Sequence, residues 1–258
     1  IDAHFRVGSV TKTFTAMLTL QLVDEDQLSL DDNVETFLPG MITDSDGDEP
    51  EDVSGDHITI RHLLSHTSGL CNYAGSDAIF GAMILNDPTY RAPESLVAIA
   101  EDPTQCDVVE HHESVFGEYS YSNTNYIVLA LIAESITGTD WETEIENRFI
   151  QPLGLTHTYV PRDGEGQLPD GSVTDYWNDY DLLGPDLFAA YSGFYPELVN
   201  GLSPVGYMAP SISWASGNIV SSVRDLGRWF KVSNWKRSNA TGLPWVSLLP
   251  AAISVLAL

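Results

Sequence analysis

Residues 5–14 read FRVGSVTKTF and set Ser9 and Lys12 three positions apart at the predicted start of a helix. Side chains at i and i+3 share one face of a helix, so the Lys12 amine can exchange a proton with the Ser9 hydroxyl. A serine hydroxyl is a poor nucleophile without a nearby base, and a helix N-terminus favours negative charge on an oxygen. The spacing therefore indicates a nucleophilic serine assisted by a lysine, a meaning it carries only in certain families.

Two helices are predicted around this chemistry. Apolar residues at helical spacing follow Lys12 and predict a helix that ends near residues 24–27, with one face on a core. A second helix follows Tyr121, Ser122 and Asn123, with residues 127–132 buried on nearly all sides and Gly138 as its C-cap. This order places a phenol and a carboxamide at the mouth of a buried helix. The alternative is that the polar residues only cap the helix and the tyrosine packs.

Composition narrows the classes of function. The 258 residues include 37 Asp plus Glu against 11 Lys plus Arg, for a formal net charge of −26, yet 43% are hydrophobic. The length and apolar content indicate a globular protein of about one or two domains. Such acidity argues against nucleic acid or an anionic membrane as a partner. It favours adaptation to high salt, with salt-dependent folding, over an acidic surface that binds a basic partner.

The acidic and histidine-containing segments resemble metal sites only in part. Residues 44–55 begin like a calcium loop, but position six is Glu49 and position twelve is Gly55, which predicts a solvated loop. His62 and His66 stand four apart without the glutamate of a zinc motif, and we interpret them as structural. We therefore expect no metal and no cofactor.

The two cysteines are interpreted as unpaired thiols. Cys71 and Cys106 permit one disulfide without implying it, because a core of this size needs no covalent link. The cysteines do not decide the cellular compartment. The protein is expected either in a high-salt cytoplasm or as an exported protein whose leader lies outside the chain.

Six segments in order resemble the serine β-lactamase-like family, which includes class C β-lactamases, D-alanyl-D-alanine carboxypeptidases and related esterases. The segments are FRVGSVTKTF (5–14), LSLDDNVETFLPG (28–40), LLSHTSGL (63–70), YSN (121–123), QPLGLTHTYV (151–160) and ASGNIVSSVRDLGRWF (215–230). The resemblance implies an α+β fold, in which a helical subdomain lies beside an antiparallel sheet. It also implies acyl transfer through an acyl-serine intermediate, without a cofactor.

The resemblance assigns roles to four residues. Ser9 is the nucleophile, Lys12 is its proton-transfer partner, and Tyr121 is a second acid and base whose phenolate the nearby ammonium would favour. Asn123 binds the amide of the substrate or orients Lys12. One oxyanion donor is the N–H of Ser9, and the other is expected on a strand near the C-terminus.

That strand is where the sequence departs from the family. No Lys-Thr-Gly or His-x-Gly triplet follows Phe230. We therefore expect a partial domain at 1–230 with much of the sheet missing, and an atypical apolar tail at 231–258 from a truncated or frame-shifted reading frame. The tail is too short for a bilayer span, which needs about 20 apolar residues.

Two hypotheses about function remain. The first is a serine hydrolase that acts on an ester, an amide or a D-amino-acid peptide. The second is a non-catalytic remnant, or a module that binds penicillin-like molecules without the third active-site motif. In either case the expected ligand is a small molecule or a peptide.

Overall fold

Helices dominate the part of the chain that the structure describes. The computed structural model describes residues 1–43, 56–84, 87–106, 116–173, 176–178, 202–204 and 208–233. The α-helices in these ranges are α1 (Thr11–Asp24), α2 (Val34–Phe37), α3 (Ile60–Leu64), α4 (Asp77–Ile84), α5 (Pro93–Glu101), α6 (Pro103–Cys106), α7 (Thr124–Thr137), α8 (Trp141–Ile145), α9 (Gln151–Leu153), α10 (Pro210–Gly217) and α11 (Val223–Ser233). Other helical turns, which are not α-helical, are Gly8–Val10, Tyr73–Gly75 and Glu146–Ile150.

The strands are short and pair in two antiparallel ribbons. They are β1 (Phe5–Arg6), β2 (Tyr176–Asn178), β3 (Leu202–Pro204) and β4 (Val220–Ser221). β1 pairs with β4, and β2 pairs with β3. The first ribbon continues as the Val7 N–H donates to the Ile219 carbonyl at 3.0 Å. The segment before Ser9 is thereby held against the segment that follows α10.

Helix α1 lies inside the molecule, packed against α7 and α10. All its residues from Thr11 to Leu22 are buried, so the prediction that only one face packs on a core is wrong. The polar face tolerates burial because its hydroxyls find acceptors. Thr13 Oγ1 donates to the Val10 carbonyl at 2.7 Å, and Thr15 Oγ1 donates to the Ala215 carbonyl at 2.8 Å.

Helix α7 confirms the second predicted helix. It runs from Thr124 to Thr137, and residues 124–133 are buried. Gly138 has φ +67°, and its N–H donates to the Glu134 carbonyl at 2.8 Å. This is the left-handed C-cap that the glycine predicts.

The cysteine prediction is wrong. Cys71 is disulfide-bonded, and Cys106 is the only other cysteine of the chain. Helix α6, which ends at Cys106, packs against the turn Tyr73–Gly75, close after Cys71. Tertiary packing brings these distant positions together, and the spacing of the cysteines carries no sign of it.

His62 has a structural role, as predicted. Its backbone N–H donates to Thr59 Oγ1 at 3.3 Å, and its Nδ1 accepts from the Thr59 N–H at 3.2 Å. The pair forms a reciprocal cap at the start of α3. The predicted solvated loop at 44–55 and the apolar tail beyond residue 233 lie outside the described residues.

Candidate active site

Ser9 lies in the turn Gly8–Val10, between β1 and α1. Gly8 has φ +53°, a left-handed conformation that a residue without a Cβ adopts at little cost. The turn leaves Ser9 exposed. The first N–H groups of such a turn lack acceptors within the helix, so they are suited to stabilise negative charge on a bound oxygen.

Lys12 is fully buried directly beneath this exposed serine. Its Nζ lies 3.2 Å from Ser9 Oγ, 2.6 Å from Asn123 Oδ1 and 2.8 Å from the Ser216 carbonyl oxygen. Three different segments of the chain therefore converge on one amine. The structure brings Lys12 to Ser9 as the i, i+3 spacing predicts.

The protonation of Lys12 is balanced near neutrality. Burial lowers the pKa of Lys12 from 10.5 to about 7, because the charged form loses its hydration. As an ammonium, Lys12 donates to all three acceptors. As a neutral amine, it donates two N–H bonds to Asn123 and Ser216, and its lone pair then faces the Ser9 hydroxyl. Both protonation states are therefore satisfied by the same geometry.

Tyr121 approaches Ser9 from the other side. Its hydroxyl lies 2.6 Å from Ser9 Oγ, and its ring centroid lies 4.9 Å from Lys12 Nζ. Burial raises the pKa of Tyr121, and the hydrogen bond with Ser9 acts in the opposite direction. Loss of hydration outweighs that bond, so the pKa of the phenol lies above its ordinary value, and the effect of the Lys12 ammonium on the phenolate stays a prediction.

Asn123 is oriented by a second asparagine. Its Nδ2 and its backbone N–H both donate to Asn72 Oδ1, at 3.0 and 3.1 Å. This leaves Asn123 Oδ1 to accept from Lys12, as one of the two predicted roles requires. The alternative of simple helix capping is not observed, because Asn123 makes no side-chain cap bond and Ser122 Oγ donates to the Cys71 carbonyl.

Several residues of this site were missed by the sequence interpretation. Ser216 contributes only its carbonyl, a group that every residue carries, so no side-chain pattern marks it. His66 lies within the LLSHTSGL segment and was predicted only to be structural, and Asn72 lies two residues after that segment, where no motif marks it. His66 lies with its ring centroid 4.5 Å from that of Tyr121.

Among the residues that the structure describes, no group of three or more His, Cys, Asp or Glu is arranged to hold a metal ion. Nor is any helix within those residues both long and apolar enough to cross a membrane.

An exposed serine between a buried lysine and a phenol, on helices beside short antiparallel strands, defines a site of the β-lactamase and penicillin-binding class. The family model described as Beta-lactamase matches residues 2–251. The chain belongs to this family, and its predicted fold class is thereby confirmed.

Individual relatives agree with this assignment. Penicillin-binding protein 4 of Amycolatopsis lactamdurans is 34% identical over 154 residues, which cover 60% of this chain and 35% of that protein. A D-stereospecific amidohydrolase from Streptomyces is 31% identical with a TM-score of 0.68, over 89% of this chain and 60% of that one. An octameric penicillin-binding protein homologue from Pyrococcus abyssi is 28% identical with a TM-score of 0.61, over 89% of this chain and 44% of that one. The chain thus spans only part of the length of each relative.

Proposed function

We propose that the protein is a serine hydrolase that forms an acyl-serine intermediate, with Ser9, Lys12 and Tyr121 as its catalytic residues. The observation that carries the proposal is the position of Ser9 Oγ, within hydrogen-bond reach of both the Tyr121 hydroxyl and Lys12 Nζ. A nucleophile held between two proton carriers is the arrangement that covalent catalysis requires.

The acylation step begins with Lys12 as the base. A pKa of about 7 leaves a large share of Lys12 as neutral amine at neutral pH, with its lone pair toward Ser9. As Ser9 Oγ bonds to the carbonyl carbon of the substrate, its proton passes to Lys12 Nζ. The carbonyl π electrons move to the oxygen, and the Ser9 N–H is placed to donate to that oxyanion.

Collapse of the tetrahedral intermediate completes acylation. The bond from carbon to the leaving nitrogen or oxygen breaks, and Tyr121 donates its hydroxyl proton to that leaving atom. The proton on Lys12 then restores the phenol and regenerates the neutral amine. In the second step water attacks the acyl-serine carbonyl, and the same groups carry protons in the reverse direction, which releases a carboxylic acid and free Ser9.

The substrate class we propose is an ester, an amide or a D-amino-acid peptide. The amide is favoured by similarity to a D-stereospecific amidohydrolase at 31% identity. Asn123 is proposed to contact the amide of the substrate as well as Lys12. We propose a partial β-lactamase-like hydrolase domain at 1–230, followed by an atypical apolar tail at 231–258.

A second candidate is a penicillin-binding or remnant module without turnover. It is favoured by similarity to penicillin-binding protein 4 of Amycolatopsis lactamdurans, which is 34% identical over 154 residues. A site that works with only one of two oxyanion donors loses about 10²–10³-fold in rate. Such a chain would be acylated slowly at Ser9 and would release the acyl group slowly.

The test is covalent labelling at Ser9. Wild type, Ser9→Ala and Ser95→Ala are incubated with a fluorophosphonate and with a fluorescent penicillin in molar salt, and the labelled residue is located by mass spectrometry. We expect labelling of wild type and Ser95→Ala only, because Ser95 is an exposed serine on α5. Labelling that persists in Ser9→Ala would refute the nucleophile. Label without hydrolysis of esters or D-amino-acid amides would favour the binding module.

A further inference from the structure

His66 makes three contacts with Tyr121 and its two chain neighbours. Its carbonyl accepts from the Ser120 N–H at 2.8 Å, and its Nδ1 accepts from the Ser122 N–H at 3.2 Å. Between these two bonds its ring stacks on the Tyr121 ring, with 4.5 Å between centroids and 28° between planes. The residues on both sides of Tyr121 and its ring are therefore all held by one histidine.

The hydrogen bonds define the tautomer of His66. Nδ1 also lies 3.2 Å from Asn125 Nδ2. The orientation of that amide is set by Ser68, whose hydroxyl donates to Asn125 Oδ1 at 2.6 Å. With two N–H donors directed at Nδ1, the ring proton resides on Nε2. Protonation of Nδ1 would place hydrogen against hydrogen and break both bonds.

His66 is unfavourable for stability at this position. It is 1% exposed, and its φ is +57°, in the left-handed region that non-glycine residues rarely adopt. Its Nε2 has no hydrogen-bond partner among the described residues, and a buried unpaired donor costs about 1–3 kcal/mol. A residue with these costs is better explained by what it holds than by what it contributes to folding.

We propose that His66 is a positioning residue that holds the Tyr121 hydroxyl against Ser9, and that only its neutral Nε2–H form does so. The inference rests on the proposed function, since Tyr121 is the proton carrier that it positions. A displacement of about 1 Å in such a group lowers a rate by about 10²-fold.

The surroundings keep the imidazole neutral. The groups that face it are the Lys12 amine and the phenols of Tyr119, Tyr121 and Tyr126. Two causes lower the pKa of His66 to about 4: burial is the larger one, and the charge of Lys12 is the smaller one. The required form is therefore present throughout the neutral range, and the imidazolium, which would lose both Nδ1 bonds, is suppressed.

Two variants separate the parts of the contact. His66→Phe keeps a ring for the stack and removes the acceptor for Ser122. His66→Asn tolerates the left-handed backbone, and its Oδ1 can replace Nδ1, but it has no ring. His62→Asn is the matched control, because His62 also accepts a backbone N–H through Nδ1 but does so at the start of α3.

The variants are compared by crystal structure and by the kinetics of acylation by a fluorescent penicillin, whose ring nitrogen needs a proton as it leaves. These kinetics separate the maximal acylation rate from the binding constant of the probe. We expect Tyr121 to leave Ser9 in His66→Phe, with the maximal rate about 10²-fold lower and probe binding within about twofold. His66→Asn should recover part of the rate, and His62→Asn should equal wild type.

The outcomes distinguish the two proposals. If Tyr121 stays within hydrogen-bond distance of Ser9 in both His66 variants and the maximal rate is unchanged, the positioning role is wrong while the hydrolase stands. If wild type is not labelled, the hydrolase proposal fails, and the position of Tyr121 in the crystals still judges His66. If His66→Phe does not fold, His66→Asn decides: an undisplaced Tyr121 at the wild-type rate would overturn the inference.

Discussion

Helices α1 and α7 are both fourteen residues long and both buried, and each brings reactive groups to the site at its N-terminal end. They differ in how those groups are held. Lys12 belongs to the first turn of α1, so the helix itself sets its position beneath Ser9. Tyr121 lies three residues before α7, and Asn123 is the N-cap, tied to the helix through its carbonyl, so the helix does not set the positions of their side chains. A separate segment must therefore hold them.

The difference shows in the hydrogen bonds. The base on α1 is held by its own helix and by the carbonyl of Ser216. The residues before α7 are held by His66 and by Asn72, which follow α3. The position of Lys12 is set by local helix geometry, whereas the positions of the Tyr121 and Asn123 side chains depend on contacts with a segment far away in the chain. Substitutions of His66 or Asn72 should therefore slow catalysis by displacing Tyr121 or Asn123, whereas a substitution of Lys12 removes the base.

The largest effect is expected from Lys12→Arg. An arginine stays protonated and cannot accept the Ser9 proton, so labelling by fluorophosphonate should fall about 10³-fold or more. Lys231→Arg, an exposed position on α11, is the matched control and should label like wild type. A Lys12→Arg rate within tenfold of wild type would contradict the assignment of Lys12 as base.

A smaller effect is expected from Asn72→Ala, which tests the loop side. Asn72 Oδ1 accepts from the backbone and the side chain of Asn123 and from the Ala74 N–H, so the variant leaves three donors unpaired. The free energy of unfolding should fall by about 1–3 kcal/mol. Labelling should fall about tenfold, as expected for a displaced rather than a missing group.

Asn33→Ala is the control for this change, because Asn33 stands at the N-cap of α2 without a side-chain cap bond. Chemical denaturation followed by circular dichroism gives the unfolding free energies of both variants. Equal losses in the two variants would show that Asn72 has no special role at the site.

The last effect is expected from pH, which changes stability without removing any group of the site. The pKa of Lys12 is 10.5 in the unfolded chain and about 7 in the folded one, so between these values the unfolded state binds more protons. The contribution of Lys12 therefore makes unfolding free energy rise with pH across this window, by up to about 1.4 kcal/mol per pH unit, and this is lost as pH falls toward 7. Denaturation curves of wild type and Lys12→Met at pH 7, 8 and 9 measure the difference in slope. Parallel pH profiles would show that burial does not lower this pKa.

Local sequence patterns predicted the two central helices and some of the residues at the site. The contact between Ser9 and Lys12 follows from helical spacing, and Gly138 ends α7 as a left-handed cap. Burial on all sides of α1 was not predicted, because a threonine is polar by its sequence identity. Its burial becomes favourable only where its hydroxyl has a carbonyl acceptor, which the sequence does not show. The disulfide of Cys71 was missed for a similar reason, since its partner comes close only through packing of α6.

The sequence alone determined the chemical types at the site and the helices that carry them, because these follow from residue identity and from spacings within a few positions. Only the tertiary structure decided which groups meet. The Ser216 carbonyl, Asn72 and His66 are joined to the site by contacts between segments far apart in the chain. The pKa of Lys12 also depends on burial, which is a property of the packed molecule and of no single segment.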